Sequence, residues 1–286
     1  MTTSPDSLPA GATPRSAWSF QPTYRVPPEL SGGVPPVLDL TAVPAAWAEA
    51  MMDEIDAVAV ATMGSLGGAV ALWRSWRVEA DGPPERVFVI ESRAAGESPA
   101  ELTGRVQQAL VAAGLARPQV EVYREDALLP DYQRAARAAS SLLWMAGRPQ
   151  DPVAVARVYD GSDPATGPYF DADHRRVDGD ELERIAAYLH SGQVILATTQ
   201  LHADILDPGA GEVVPLSYRT DGSWVWSEAS GYYLRRHGLA PDAEMLAQLR
   251  TRNLAPAELG AVDTHRALAA LFLPSLAASR SGSAGR

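Results

Sequence analysis

Residues 169–183 (YFDADHRRVDGDELE) hold the densest set of groups able to do chemistry. Asp171, Asp173 and His174 could offer carboxylate and imidazole ligands to a metal, with Asp178 or Asp180 completing the shell. The spacing departs from a calcium loop: the glycine is misplaced, and Leu182, not an acid, falls twelfth counting from Asp171. No His-x-x-x-His or Glu-x-x-His pair supports a transition metal. Helix capping and a solvated acidic loop account for these residues without a ligand, so neither metal nor cofactor is expected.

Nucleophilic catalysis finds less support. In residues 63–67 (MGSLG) Gly64 directly precedes Ser65, so the Gly-x-Ser-x-Gly elbow is incomplete. Residues 64–68 (GSLGG) lack the GxGxxG spacing, no lysine follows, and a plain turn is expected there. The histidines at 174, 190, 202, 237 and 265 are scattered. His190 and His237 each fall in a last helical turn, where an imidazolium suits the helix dipole. A site of the ADP-ribosyl-transferring or NAD-cleaving type would need an arginine, a polar strand and a late glutamate, roles open to Arg157, Thr198-Thr199 and Glu228. The catalytic candidates are therefore Asp171, His174, Arg157 and Glu228, with Asp173 added where a metal is considered.

Composition narrows the classes. All 24 basic residues are arginine and cysteine is absent, which removes Schiff-base and P-loop lysines, thiolate nucleophiles and cysteine metal sites. A net charge of −11 repels phosphate backbones, so nucleic acid is not an expected partner. With 46% hydrophobic residues the chain can bury a core. No signal peptide is visible and no apolar run reaches the roughly 20 residues a bilayer span needs. A cytoplasmic location without membrane insertion is the expectation.

The elements that must position these groups divide into two packed units of an α+β fold. Residues 1–36, rich in proline and serine, read as a disordered arm in which Trp18, Phe20 and Tyr24 form an aromatic cluster that either docks on the body or serves as a short linear motif for a partner. Residues 37–148 read as an α/β unit: a helix over 44–55, strands over 58–62, 69–78 and 86–91, a helix capped by Ser98, a strand over 120–123 and a helix over 130–145 carrying Trp144. Residues 149–252 read as an α+β unit: strands over 153–159 and 194–199, with a helix begun by Asp178 or Asp180 between them. A hairpin turning at Asp221-Gly222 follows, then a helix from Ser227 to Gly238 and another opened by Pro241 and Asp242. Residues 253–286 read as a last helix with a frayed tail.

Trp224 and Trp226 share one face of the hairpin's return strand, and Tyr232-Tyr233 follow on the helix. Tryptophan, tyrosine and arginine dominate protein–protein hot spots. Trp224, Trp226, Tyr232, Tyr233 and Arg219 are therefore the expected partner-binding residues. Residues 188–199 (YLHSGQVILATT), 214–250 (VPLSYRTDGSWVWSEASGYYLRRHGLAPDAEMLAQLR) and 120–144 (VEVYREDALLPDYQRAARAASSLLW) resemble segments of uncharacterised bacterial proteins that accompany polymorphic toxin or specialised secretion systems. The resemblance covers about half the chain, rests on structural motifs, carries no catalytic residues, and implies an immunity or accessory role. The expectation is a non-enzymatic protein-binding module whose partner is another protein, such as a basic toxin or secretion component, with a homo-oligomer open. The alternative is an enzyme acting on an NAD-type nucleotide or other small metabolite, in a cleft between the units lined by Asp171, Asp173, His174 and Arg157.

Overall fold

Two long strands organise the first unit: β3 (Ala69–Glu79) and β4 (Glu85–Ser92). Their apolar residues are buried on both faces, as a strand covered by helices on either side requires. The computed structural model describes residues 18–24, 33–79, 82–147, 151–251 and 258–273. Besides β3 and β4, the first sheet contains β1 (Trp18–Gln21), β2 (Leu38–Asp39), β5 (Gln119–Arg124) and β6 (Ser141–Met145). Its order is β2-β6-β3-β4-β5, with β1 pairing the far end of β3. The β2–β6 and β4–β5 pairs are parallel; β3 is antiparallel to β1, β4 and β6.

Helices α1 (Ala45–Met51), α2 (Glu54–Met63) and α3 (Pro99–Ala112) cover the face bearing Leu72, Phe88 and Ile90. The opposite face, with Ala71, Trp73, Val87 and Val89, meets α4 (Asp131–Ala138) and α8 (Ala261–Phe272). Ser98 and Glu101 form the expected capping box on α3.

In the second unit a four-stranded sheet runs β10-β13-β14-β7, from β10 (Gln193–Leu196), β13 (Tyr218–Thr220), β14 (Trp224–Ser227) and β7 (Ala154–Val155). Two ribbons stand apart: β8 (Gly161–Asp163) with β9 (Gly167–Tyr169), and β11 (Leu201–Ala203) with β12 (Glu212–Pro215). α5 (Gly179–Ser191), α6 (Glu228–His237) and α7 (Ala243–Thr251) pack on this sheet. α8 touches β2 and β6 of the first sheet and β7, β10 and β14 of the second, so it joins the units. The architecture is α+β with mixed sheets.

Several expected boundaries move. The alternating residues 58–62 are helical within α2: Asp53 accepts from Ile55 and Asp56 N–H (both 3.1 Å), and Asp56, Ala59 and Met63 face inward at helical spacing. The helix expected to Met145 stops at Ala138. Ser140 Oγ donates to the Arg137 carbonyl (2.7 Å), and residues 141–145 become β6, a buried apolar run too short for periodicity to assign. Trp144 thus sits on a strand. The strand leading into the hairpin is β13 (Tyr218–Thr220), and residues 212–215 form the separate β12, which pairs with β11. The hairpin turns one residue later than expected. Asp221 N–H donates to the Trp224 carbonyl, and the central pair is Gly222-Ser223 with Gly222 at φ +85°.

The arm is not without structure throughout. β1 pairs with β3, Phe20 meets Tyr132 edge-on (5.2 Å), and Tyr24 packs on Trp76 (4.1 Å). Residues 1–17 and 25–32, and the tail over 274–286, lie outside the described residues.

Candidate functional site

The hairpin indoles are core. Trp224 is 4% and Trp226 1% exposed, because β14 runs between β13 and β7 and its indole-bearing face is closed by α5 and α7. Each indole N–H finds a buried acceptor: Trp224 donates to Gln248 Oε1 (2.9 Å) and Trp226 to the Leu189 carbonyl (3.1 Å). Tyr233 is likewise buried, against Tyr159 and Phe170. As a contact surface the set Trp224, Trp226, Tyr233 is corrected: the residues that bury most area went into the sheet–helix core.

Tyr232 and Arg219 remain at the surface, and with the rim of the Trp226 ring they line a groove of about 600 Å³ between α5, α6 and β12. Leu189 and Trp226 form its floor, Val213 and Pro215 one wall, and Gly231 of α6 another. A Cβ on Gly231 would meet nothing closer than Arg235 Nη1 at 3.8 Å, so the missing side chain leaves the groove open. The apolar wall continues outward. Val213 and Pro215 lie on one face of β12, and Leu201 stands opposite Pro215 on β11; Leu201 is 44% and Val213 37% exposed.

The rim is cationic. Arg219 donates through Nε to Glu228 (2.7 Å) and through Nη1 to the His190 and Gly192 carbonyls (2.9 and 2.8 Å), so it ties the end of α5 to the start of α6. Arg236 pairs with Asp207 (3.2 Å). Arg235 donates only to the Ala186 carbonyl (3.2 Å) and, among the described residues, has no carboxylate within ion-pair distance. Three guanidiniums thus meet two carboxylates, Glu228 and Asp207, in a molecule whose net charge is −11.

Asp204 fixes the ribbon beside this groove. Fully buried, it accepts from Leu206 N–H (2.9 Å), Tyr232 Oη (2.9 Å) and His237 Nε2 (2.6 Å). Burial works to raise its pKa, but the His237, Leu206 and Tyr232 bonds outweigh it and hold the carboxyl below its usual range. The β11–β12 connection is thereby anchored to the end of α6.

Arg157, Asp171, Asp173 and His174 do converge, around a second cavity of about 270 Å³. It lies inside the second unit rather than between units, where Asp242 at the start of α7 meets the loop that holds β8 and β9. His174 is spoken for at both nitrogens: Nδ1 to Asp160 (2.8 Å) and Nε2 to the Ala240 carbonyl (2.9 Å). Burial would raise Asp160, yet the Asp171 N–H and the His174 ring keep it below the usual carboxylate range. Asp242 binds the Arg157 guanidinium (3.3 Å) and caps α7 through Glu244 N–H (2.9 Å). Among the described residues no three His, Asp or Glu side chains are grouped to hold a metal ion. Asp178 is the N-cap of α5 without a side-chain bond, and Asp180 sits in its first turn.

Arg157 and Glu228 line different cavities, so the arginine–threonine–glutamate arrangement is not assembled. A third cavity, about 680 Å³, is the actual cleft between the units, bounded by Glu91, Tyr123, Arg137, Gln193 and Asp263. Burial raises the Glu91 pKa against the pull of Arg137. His190 lines the groove and His202 is exposed on β11.

The chain matches no family model, no curated protein and no solved structure. Residues that sequence reasoning missed are Gly231, Arg235, Val213 and Asp204. Gly231 carried a signal, because a glycine inside an otherwise good helix costs about 1 kcal/mol against alanine and calls for a reason.

Proposed function

We propose that this chain is a non-enzymatic protein-binding module that engages another protein through the groove between α5, α6 and β12. The supporting observation is the juxtaposition, on one surface, of an exposed apolar wall (Leu201, Val213, Pro215) with a guanidinium, Arg235, that has no acidic partner of its own among the described residues. Exposed apolar residues beside arginine and tyrosine are the usual makings of a recognition surface. An immunity or accessory role beside a toxin or secretion component fits that reading, and the net charge of −11 would speed encounter with a basic partner. Affinity capture from the native host tests it, with the wild-type chain and a Gly231→Leu variant of equal melting temperature as baits. A protein retained by the wild type and lost by the variant is the expected result. Equal capture by both would move the interaction elsewhere.

A second reading rests on the 270 Å³ cavity, where Arg157, Asp171, Asp173 and His174 meet as a small-metabolite site would need. A melting temperature raised by NAD or another nucleotide, and no longer raised after Arg157→Ala, would favour it.

A further inference from the structure

We infer that the groove receives an extended, acidic and apolar segment of the partner protein, its carboxylate on Arg235 and an apolar side chain against Val213 and Pro215. The inference rests on the protein-binding reading and names what that site recognises.

Arg235 supplies the charge argument. Its guanidinium is solvent-exposed on the last turn of α6 and uses one nitrogen on the Ala186 carbonyl. It lines the groove, and no carboxylate among the described residues lies within ion-pair distance of it. Arg219 and Arg236 already have Glu228 and Asp207, so Arg235 is the position where an incoming carboxylate gains most, in the forked geometry guanidinium favours.

Shape supplies the second argument. The apolar wall does not end at the groove: Val213 and Pro215 follow one another along β12, and Leu201 lies beside Pro215 across the β11–β12 pairing. A compact metabolite would leave that extension uncovered, whereas an extended peptide places alternate side chains along it. Gly231 keeps the adjoining helix face low enough for a main chain to approach.

The global charge limits the partner further. A chain of net charge −11 repels a uniformly acidic protein at long range, so the acidic segment belongs to a partner that is neutral or basic elsewhere. The recognition element is local and opposite in sign to the body that carries it.

A random-sequence peptide library screened on the full chain gives a direct test, with Gly231→Leu as the subtractive control and Arg235→Ala and Arg235→Lys as probes. Peptides that depend on the groove should be enriched in aspartate or glutamate alternating with leucine, valine or phenylalanine. Their affinity should fall on the order of 10-fold in Arg235→Ala, be partly kept in Arg235→Lys, and weaken with salt. Enrichment of basic peptides, binders indifferent to Arg235→Ala, or no groove-dependent binder would each overturn the inference. If a host protein is still captured in a Gly231-sensitive way, the protein-binding reading survives that failure. Displacement of the selected peptides by NAD or ADP would instead reassign the groove to a small anion, and both would fall.

Discussion

The Trp226 indole packs against Gly192, so that a Cβ built there would fall 2.3 Å from Cζ2 and 2.6 Å from Cη2. Gly192 has ordinary backbone angles (φ −59°, ψ 146°), so the demand is for space alone. It follows α5 directly, and its carbonyl accepts from Arg219 (2.8 Å). Gly192→Ala is expected to cost about 1–3 kcal/mol by overpacking a fixed ring. Chemical denaturation checks this, and a red-shifted tryptophan emission should accompany it. Trp226→Phe in the same background should recover part of the loss by withdrawing the ring atoms that clash, though it leaves the Leu189 carbonyl without its donor.

Gly231 makes the opposite prediction. Its Cβ position is open, so Gly231→Ala should stabilise α6 by about 0.5–1 kcal/mol, the usual helix-propensity gain. Because the added methyl points into the groove, partner capture should weaken while the melting temperature rises. A variant gaining stability at no cost in binding would detach the glycine from recognition.

The two glycines also measure what could be read beforehand. Local signals acting within a few residues were legible: the Ser98–Glu101 box, Ser227 accepting from Ala229 N–H (3.2 Å), Gly238 as the left-handed end of α6. Burial was not legible where short segments decide it. Residues 141–145 (SLLWM) suit a helix or a strand equally, and only pairing with β3 and β2 selects β6. The strand expected over 58–62 is instead the second half of α2, which the Asp53–Asp56 capping box begins. Trp224 and Trp226 looked like surface because they share a strand face, but nothing local says that α5 and α7 close over it. Asp171, Asp173, His174 and Arg157 line one cavity, three of them from one loop, but within the second unit and not between the units. The Leu201–Pro215 pairing and the Asp204 anchor depend on contacts across the fold and left no local trace.

Arg74 carries a deeply buried charge. It is 1% exposed at the centre of β3, paired with a fully buried Asp56, and it donates to the Met51 carbonyl (2.8 Å) and the Pro22 carbonyl (3.2 Å). Burial raises the Asp56 pKa even against Arg74 and Arg86. Arg74→Ala should cost about 3–5 kcal/mol, because it leaves the buried Asp56 with Arg86 alone and takes a donor from two carbonyls. Adding Asp56→Asn should return a measurable part of it. Additive losses in the double variant, read by urea denaturation, would deny the coupling.

His265 sets an acid limit on the junction between units. It sits on α8, 6% exposed, with Nε2 donating to the Leu38 carbonyl (2.9 Å) and its ring 6.1 Å from that of Trp73. Burial lowers its pKa to about 4 from 6.5; the Leu38 bond and Asp39 oppose that shift, and Arg137 adds to it. The unfolded chain therefore takes up a proton between about pH 6.5 and 4 that the folded chain refuses. Stability falls as pH drops through that window, by up to about 1.4 kcal/mol per unit, and the loss stops once both states are protonated. Asp160 and Asp204, held below the usual carboxylate range, add their own losses further down the scale. His265→Gln keeps a donor for Leu38 and removes the titration. The difference in unfolding free energy between wild type and variant, followed from neutral pH to pH 4, should shrink steadily. A constant difference would mean that the imidazole is already hydrated, and that α8 does not seal the seam between the two sheets.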